Sequence, residues 1–180
     1  MRNLQALFLS AVLLVVSASA FAQSTAGQKL DDAGVTTKVK SALISNKDTK
    51  ASQITVETQQ GVVQLSGFVD SDAMRDAAVT TAKSVSGVKD VQDKLLLRDG
   101  TRSTGQAVDD TVIAAKLKSQ LAGKAGLSTA TDVNVEVNSG VVELSGFVPT
   151  IDQKTRAGEI ARAINGVKDV HNNIELKTRS

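Results

Sequence analysis

The side chains that carry nucleophilic or metal-assisted chemistry are scarce here: the chain has one histidine, His171, no cysteine, no tryptophan and no tyrosine. A Ser-His-acid site needs an imidazole oriented by a carboxylate and within reach of a hydroxyl. His171 falls in an alternating, strand-like run, and the first half of the chain has Gln92 at the matching place. It reads as a solvent-facing strand residue, so no catalytic residue is assigned and the chain is read as no enzyme. A single histidine without cysteine cannot build a zinc or copper site. Asp70, Asp72 and Asp76 have the spacing of a hard-cation loop, but Pro149, Asp152 and Lys154 occupy the region in the second half, and Asp70 and Asp72 suit a helix start. Gly61 precedes a strand and Gly87 ends a helix, whereas a phosphate-cradling loop runs from a strand into a helix start. No metal, cofactor or nucleotide is expected.

Residues 1–22 read as a secretory signal. Arg2 supplies the positive start, Ala6 to Val16 the apolar run, and Ala20-Phe21-Ala22 the small-x-small cleavage pattern, with cleavage after Ala22. That run is well below the ~20 residues of a membrane-crossing helix. Without cysteine, neither disulfides nor a lipid-modified cysteine are available. Removing Arg2 leaves 20 basic against 19 acidic side chains. So balanced a chain has no global field to gather nucleic acid. Its only aromatic side chains after the signal, Phe68 and Phe147, are too few to stack bases along a strand.

These residues are positioned by a duplication. Gly61-Val62-Val63-Gln64-Leu65-Ser66-Gly67-Phe68-Val69 returns 79 residues later as Gly140-Val141-Val142-Glu143-Leu144-Ser145-Gly146-Phe147-Val148, and Gly87-Val88-Lys89-Asp90-Val91 returns as Gly166-Val167-Lys168-Asp169-Val170. Val35, Val39 and Leu43, like Ile113, Leu117 and Leu121, fall four apart and predict an amphipathic helix. Asp31-Asp32 and Asp109-Asp110 place negative charge at its expected start. Ile54 and Val56, and Val133, Val135 and Val137, alternate as half-buried strands. Gln59-Gln60-Gly61 and Asn138-Ser139-Gly140 are short enough to turn the chain into a second strand, with Gly supplying the positive φ of a tight hairpin. Of its two phases, Val63, Leu65, Gly67 and Val69 are expected inward. Gly67 and Gly146 would then let another element approach the backbone closely.

A second helix follows, capped by Ser71 or by Thr150 with Gln153, with Gly87 and Gly166 expected at its left-handed stop. Val91, Leu95 and Leu97, and Val170, Ile174 and Leu176, make a third strand. The prediction is α+β: two tandem α-β-β-α-β modules, each a three-stranded mixed sheet with two helices on one face. The divisions are a signal peptide over 1–22, a flexible segment over 23–30, module one over 31–98, a linker over 99–108 and module two over 109–177.

Two sets of residues could meet a partner. Phe68 and Phe147 fall on the sheet face that the helices leave uncovered. They either pack against the neighbouring module or a strand-edge loop, or form an apolar spot for a lipid or a client chain. Lys116 and Lys118, like Lys38 and Lys40, flank the apolar stripe of the first helix. Such a helix can lie on an anionic membrane surface, or its stripe can face the sheet and leave the lysines simply solvated.

The repeated G-V-V-x-L-S-G-F-V strand, the helix after it and the G-V-K-D-V segment resemble the BON domain, twice. That resemblance implies a non-enzymatic protein of the periplasm: envelope protection in osmotic stress, chaperone-like help to outer-membrane client proteins, and transient contact with anionic phospholipid. The lipid contact of the family would map onto Lys116 and Lys118. Contact between the two modules within the chain is a further expected interaction, and no nucleic acid is expected.

Overall fold

A computed structural model describes residues 26–98, 100, 103–124 and 133–178. The expected signal peptide and its cleavage site lie outside the described residues. Module one runs α1 (Ala26–Ser45), a 3-10 turn (Ala51–Gln53), β1 (Thr55–Gln59), β2 (Val62–Val69), α2 (Asp72–Lys83) and β3 (Asp90–Leu97). Module two runs α3 (Thr104–Lys124), β4 (Val133–Asn138), β5 (Val141–Val148), α4 (Ile151–Arg162), β6 (Asp169–Asn172) and β7 (Glu175–Leu176).

In each module the middle strand pairs antiparallel with the strand before it and parallel with the strand that returns through a helix. Module one has three strands in the order β1-β2-β3. Module two departs from the expected three: its third strand is broken into β6 and β7, both paired with β5. At the break Asn172 Oδ1 accepts from Ile174 N (3.4 Å), as Asp93 Oδ1 accepts from Leu95 N (3.0 Å) in module one. The helices also start earlier than the apolar period suggests. Residues 26–30, read as flexible, belong to α1, and residues 104–108, read as linker, belong to α3. Ser103 caps α3: its Oγ accepts from Gln106 N, while Gln106 Oε1 accepts from Ser103 N.

Each module has its own core. Val35, Val39 and Leu43 of α1 meet Ile54, Val56, Val63, Leu65, Val69 and Leu95 of the sheet and Met74, Ala78 and Ala82 of α2. Ile113, Leu117 and Leu121 occupy the same places in module two. The phase expected inward on the middle strand is the one that meets the helices.

The hairpins show what the paired aspartates do. Gln60 and Gly61 (φ 53° and 81°), and Ser139 and Gly140 (φ 52° and 84°), are two-residue turns with both residues left-handed. A non-glycine residue there costs about 1 kcal/mol or more. Asp32 offsets this by accepting from both Gln60 N and Gly61 N at 2.8 Å, and Asp110 does the same for Ser139 N and Gly140 N. The aspartates therefore sit in the second turn of their helices as clamps on the hairpin, correcting the expectation that they open the helix. Ser71 and Thr150 cap α2 and α4 as expected. Gly87 and Gly166 do have positive φ, but they lie in the turn beyond the helix, after the C-caps Ser84 and Ala163, where they pack against Val35 and Ile113.

Candidate functional site

The sheet faces not covered by helices are turned toward each other. The phase of β2 that looked outward, Gln64 and Ser66, is buried, and so are Glu143 and Ser145 on β5. Both hydroxyls and both longer side chains lie between the two sheets, and such groups are costly there unless paired. The pairing follows a pseudo-twofold. Ser66 Oγ and Ser145 Oγ hydrogen-bond at 2.7 Å near its centre. Gln64 Oε1 accepts from Gly146 N and Glu143 Oε2 accepts from Gly67 N, both at 2.7 Å. Further out, Thr55 Oγ1 donates to Glu136 Oε1 (3.2 Å) and Asn134 Nδ2 donates to Glu57 Oε1 (3.0 Å). Each contact has a counterpart 79 residues away, with the modules exchanged.

Gly67 and Gly146 serve this seam. Their φ values of 117° and 115° are open to glycine alone, and they turn the peptide N–H toward the other module. A Cβ on Gly67 would stand 2.2 Å from the Gln53 carbonyl oxygen. The close approach expected at Gly67 is thus made by the backbone at the end of the 3-10 turn.

The symmetry fails around Gln64 and Glu143. Gln64 can donate as well as accept: its Nε2 donates to the Asn173 carbonyl at 3.0 Å. Glu143, fully buried, accepts from Asn173 Nδ2 at 3.1 Å as well as from Gly67. Burial pushes its carboxyl up to about 7; the hydrogen bonds from Gly67 and Asn173 pull it down, and the charges of Glu136 and Asp93 push it up. A carboxyl near neutrality thus sits where module one has an amide. At the matching position to Asn173, module one has Lys94, which crosses the seam to Glu175 at 3.2 Å.

The partner-contact residues expected from sequence fall in separate places. Phe68 is buried, only 6 % exposed, on the face turned toward module two, so it offers no exposed apolar spot. Phe147 is half-buried in a cleft beside Asp32, Thr36 and Glu57 of module one. Lys116 and Lys118 are exposed on α3. Lys116 lines a cleft with Asp109, Gly140 and Lys168, and module one repeats that cleft with Lys38, Asp31, Gly61 and Lys89. The phenylalanines belong to the seam face and the lysines to the outer helix layer. His171 Nε2 lies 3.3 Å from Asp169 Oδ2, with both side chains largely in solvent. No group of three or more His, Cys, Asp or Glu among the described residues is placed to hold a metal, and no described helix is long and apolar enough to cross a membrane.

The outer edges of the sheets differ more than the seam. Module one is tied by Arg75 Nε to Asp93 Oδ2 at 2.6 Å and by Lys50 Nζ to Asp70 Oδ2 at 2.6 Å, with Arg98 3.5 Å from Asp70. The Lys50 ammonium holds the Asp70 carboxyl below the usual carboxylate range. Module two has Lys154, Asn172 and Pro149 where Arg75, Asp93 and Asp70 stand. Its Asn172 Nδ2 donates to the Lys154 carbonyl oxygen instead (2.8 Å).

The family model described as the BON domain matches residues 31–99 and 109–178. The chain belongs to the BON-domain family. Over 152 residues the two BON modules are 41% identical to "Osmotically-inducible protein Y" of Escherichia coli (strain K12), covering 84% of this chain and 75% of that protein. They are 33% identical over 147 residues to "Outer membrane lipoprotein DolP" of Haemophilus influenzae, covering 81% of this chain and 75% of that protein. Among solved structures, CdsD of the type III secretion system of Chlamydia trachomatis matches at 16% identity and a TM-score of 0.33, covering 81% of this chain and 63% of that one. A likeness at that level says nothing further about this chain.

Proposed function

We propose that this tandem BON protein is a non-enzymatic protein of the periplasm that protects the envelope in osmotic stress by binding client chains. The similarity to an osmotically inducible protein and to an outer-membrane lipoprotein supports the setting. The observation that carries the binding role is the placement of exposed apolar side chains. Module two presents Val108, Val112, Ile151 and Leu176 to solvent, while module one presents Ile44 and Leu97. Scattered single apolar residues are ordinary on a surface, whereas Ile151 and Leu176 line one groove together, and exposed apolar side chains that share a groove suit a partner. The test is suppression of aggregation by the mature protein added to a denatured outer-membrane protein. Suppression near equimolar ratio is expected, and none at molar excess contradicts the reading.

A second reading rests on α3. Val108, Val112 and Lys116 follow one another at intervals of four along one line of the helix, and all three are exposed. An apolar line ending in a lysine suits transient binding to anionic phospholipid. Flotation with anionic vesicles should recover more protein than flotation with neutral vesicles, and the difference should fade with salt. Equal recovery from both contradicts it.

A further inference from the structure

We propose that the groove between α4 and the broken strand β6–β7 of module two is a docking site for an extended, acidic and apolar segment of a client chain, added as a strand along β7. The inference rests on the client-binding reading and names the place and the chemistry of the segment.

The groove has a volume of about 570 Å³, within the range of clefts that hold small ligands. Ile151 of α4 is 69% exposed and Leu176 of β7 is 42% exposed, and both line it. Beside them stand Lys154 and Arg162, neither of which has an anionic partner among the described residues. The one carboxylate in the lining, Glu175, is drawn across the seam to Lys94. The groove therefore presents two cations without an anionic partner among the described residues beside two exposed apolar side chains, and the complementary ligand alternates acidic and apolar side chains.

The strand edge supplies the backbone half of the site. Asn173 N and Lys177 N donate inward to Leu144 O and Val148 O, both at 2.8 Å. By alternation the peptide groups of Leu176 face away from β5, and among the described residues no further strand pairs with β7. An open edge next to a helix is the geometry of strand addition, in which main-chain hydrogen bonds hold the guest and alternate side chains select it.

Module one serves as an internal control. The same groove there has Asp72 in place of Ile151 and Leu96 in place of Glu175. Its helix is tied to its edge strand by Arg75 and Asp93 at 2.6 Å. Module two keeps the scaffold but ties α4 to β6 through Asn172 Nδ2 and the Lys154 carbonyl oxygen (2.8 Å), which leaves the Lys154 ammonium without the ion pair that Arg75 makes.

The test grafts that ion pair into module two. A fluorescein-labelled octapeptide of alternating Glu and Val, and a matched octapeptide of Lys and Val, are titrated by anisotropy into the mature protein and into Lys154→Arg/Asn172→Asp. Ile151→Asp is the second variant; it adds an acid at the first turn of α4, where a helix tolerates it. The wild type should bind the Glu peptide and discriminate against the Lys peptide, and each variant should weaken binding about tenfold or more; Ile151→Asp should leave thermal stability unchanged, and the double variant, which exchanges the Asn172 to Lys154 carbonyl hydrogen bond for an ion pair, should keep a cooperative melt. Arg75→Lys/Asp93→Asn in module one should leave affinity for the Glu peptide undiminished. Equal binding of both peptides, no binding of the Glu peptide, or undiminished binding in both module-two variants overturns the proposal. Aggregation suppression by the wild type alongside any of these failures leaves the client reading standing without this site; absence of suppression removes the client reading itself.

Discussion

Module one and module two fold around matching cores, and the differences between them collect at two places. At the seam, module one contributes a neutral amide, Gln64, where module two contributes a buried carboxyl, Glu143. At the outer edge, module one has the Arg75–Asp93 ion pair where Lys154 and Asn172 of module two line a groove. The residues that hold the backbone, Gly67 and Gly146, Ser66 and Ser145, Asp32 and Asp110, are the same in both copies. Duplication here preserves the glycines and serines at the centre of the seam and varies the polar residues around them and the outer edge, so the two copies can divide binding tasks on one scaffold.

The largest effect is expected at Gly67. Gly67→Ala forces a side chain onto a left-handed φ and against a backbone carbonyl 2.2 Å away. It should cost about 3 to 5 kcal/mol in urea unfolding. Gly34→Ala, with nothing within 4 Å, is the control and should be neutral or slightly stabilising. If Gly67→Ala is equally mild, the peptide N–H does not serve the seam as described.

Glu143→Gln makes the two sides of the seam alike. The Glu143 carboxyl, ordinarily near 4.5, stands at about 7 in the folded chain. Its neutral form is thus favoured by folding. The stability it contributes is fully present below its unfolded value, and it is lost as pH rises through about 7. The wild type should therefore lose stability relative to Glu143→Gln between about pH 4.5 and 7, by on the order of 2 to 3 kcal/mol, with no further loss above. Parallel melting curves for the two proteins across that range would show that the carboxyl is solvated.

Ser66→Ala leaves the Ser145 hydroxyl buried without its partner and should cost about 1 to 2 kcal/mol, as should Ser145→Ala. The double substitution should cost less than the sum, because neither hydroxyl is then stranded. Strict additivity in the urea cycle would mean that the two hydroxyls do not meet. The smallest effect is expected at the closed edge of module one. Arg75→Lys should cost about 0.5 kcal/mol or less, since the pair with Asp93 is partly exposed.

Most of the scaffold was legible because apolar period reports which face seeks a core. Val35, Val39 and Leu43, and the phase of Val63, Leu65 and Val69, follow from it directly. The seam was not legible in the same way. Gln64, Ser66, Glu143 and Ser145 read as an outward face, because hydropathy distinguishes apolar from polar and says nothing of polar groups paired across an interface. A signal is present nonetheless: Ser66 recurs unchanged as Ser145 on that face, with Gln64 or Glu143 two residues before it. The aspartate clamps were misplaced for a local reason. The apolar stripe begins after α1 and α3 do, so Asp32 and Asp110 look terminal in the sequence. The groove of module two lay in the differences between copies, at Ile151, Lys154 and Asn172, which a search for repeats passes over.

The closed, dry seam is tested most directly by following the Glu143 side-chain carboxyl carbon through a pH titration by NMR, with the signal assigned by its absence in Glu143→Gln. Closure under module one predicts a midpoint raised to about 7 by burial. A midpoint near the ordinary carboxyl value of 4.5 would mean that water reaches Glu143 and that the two modules do not share this interface in solution.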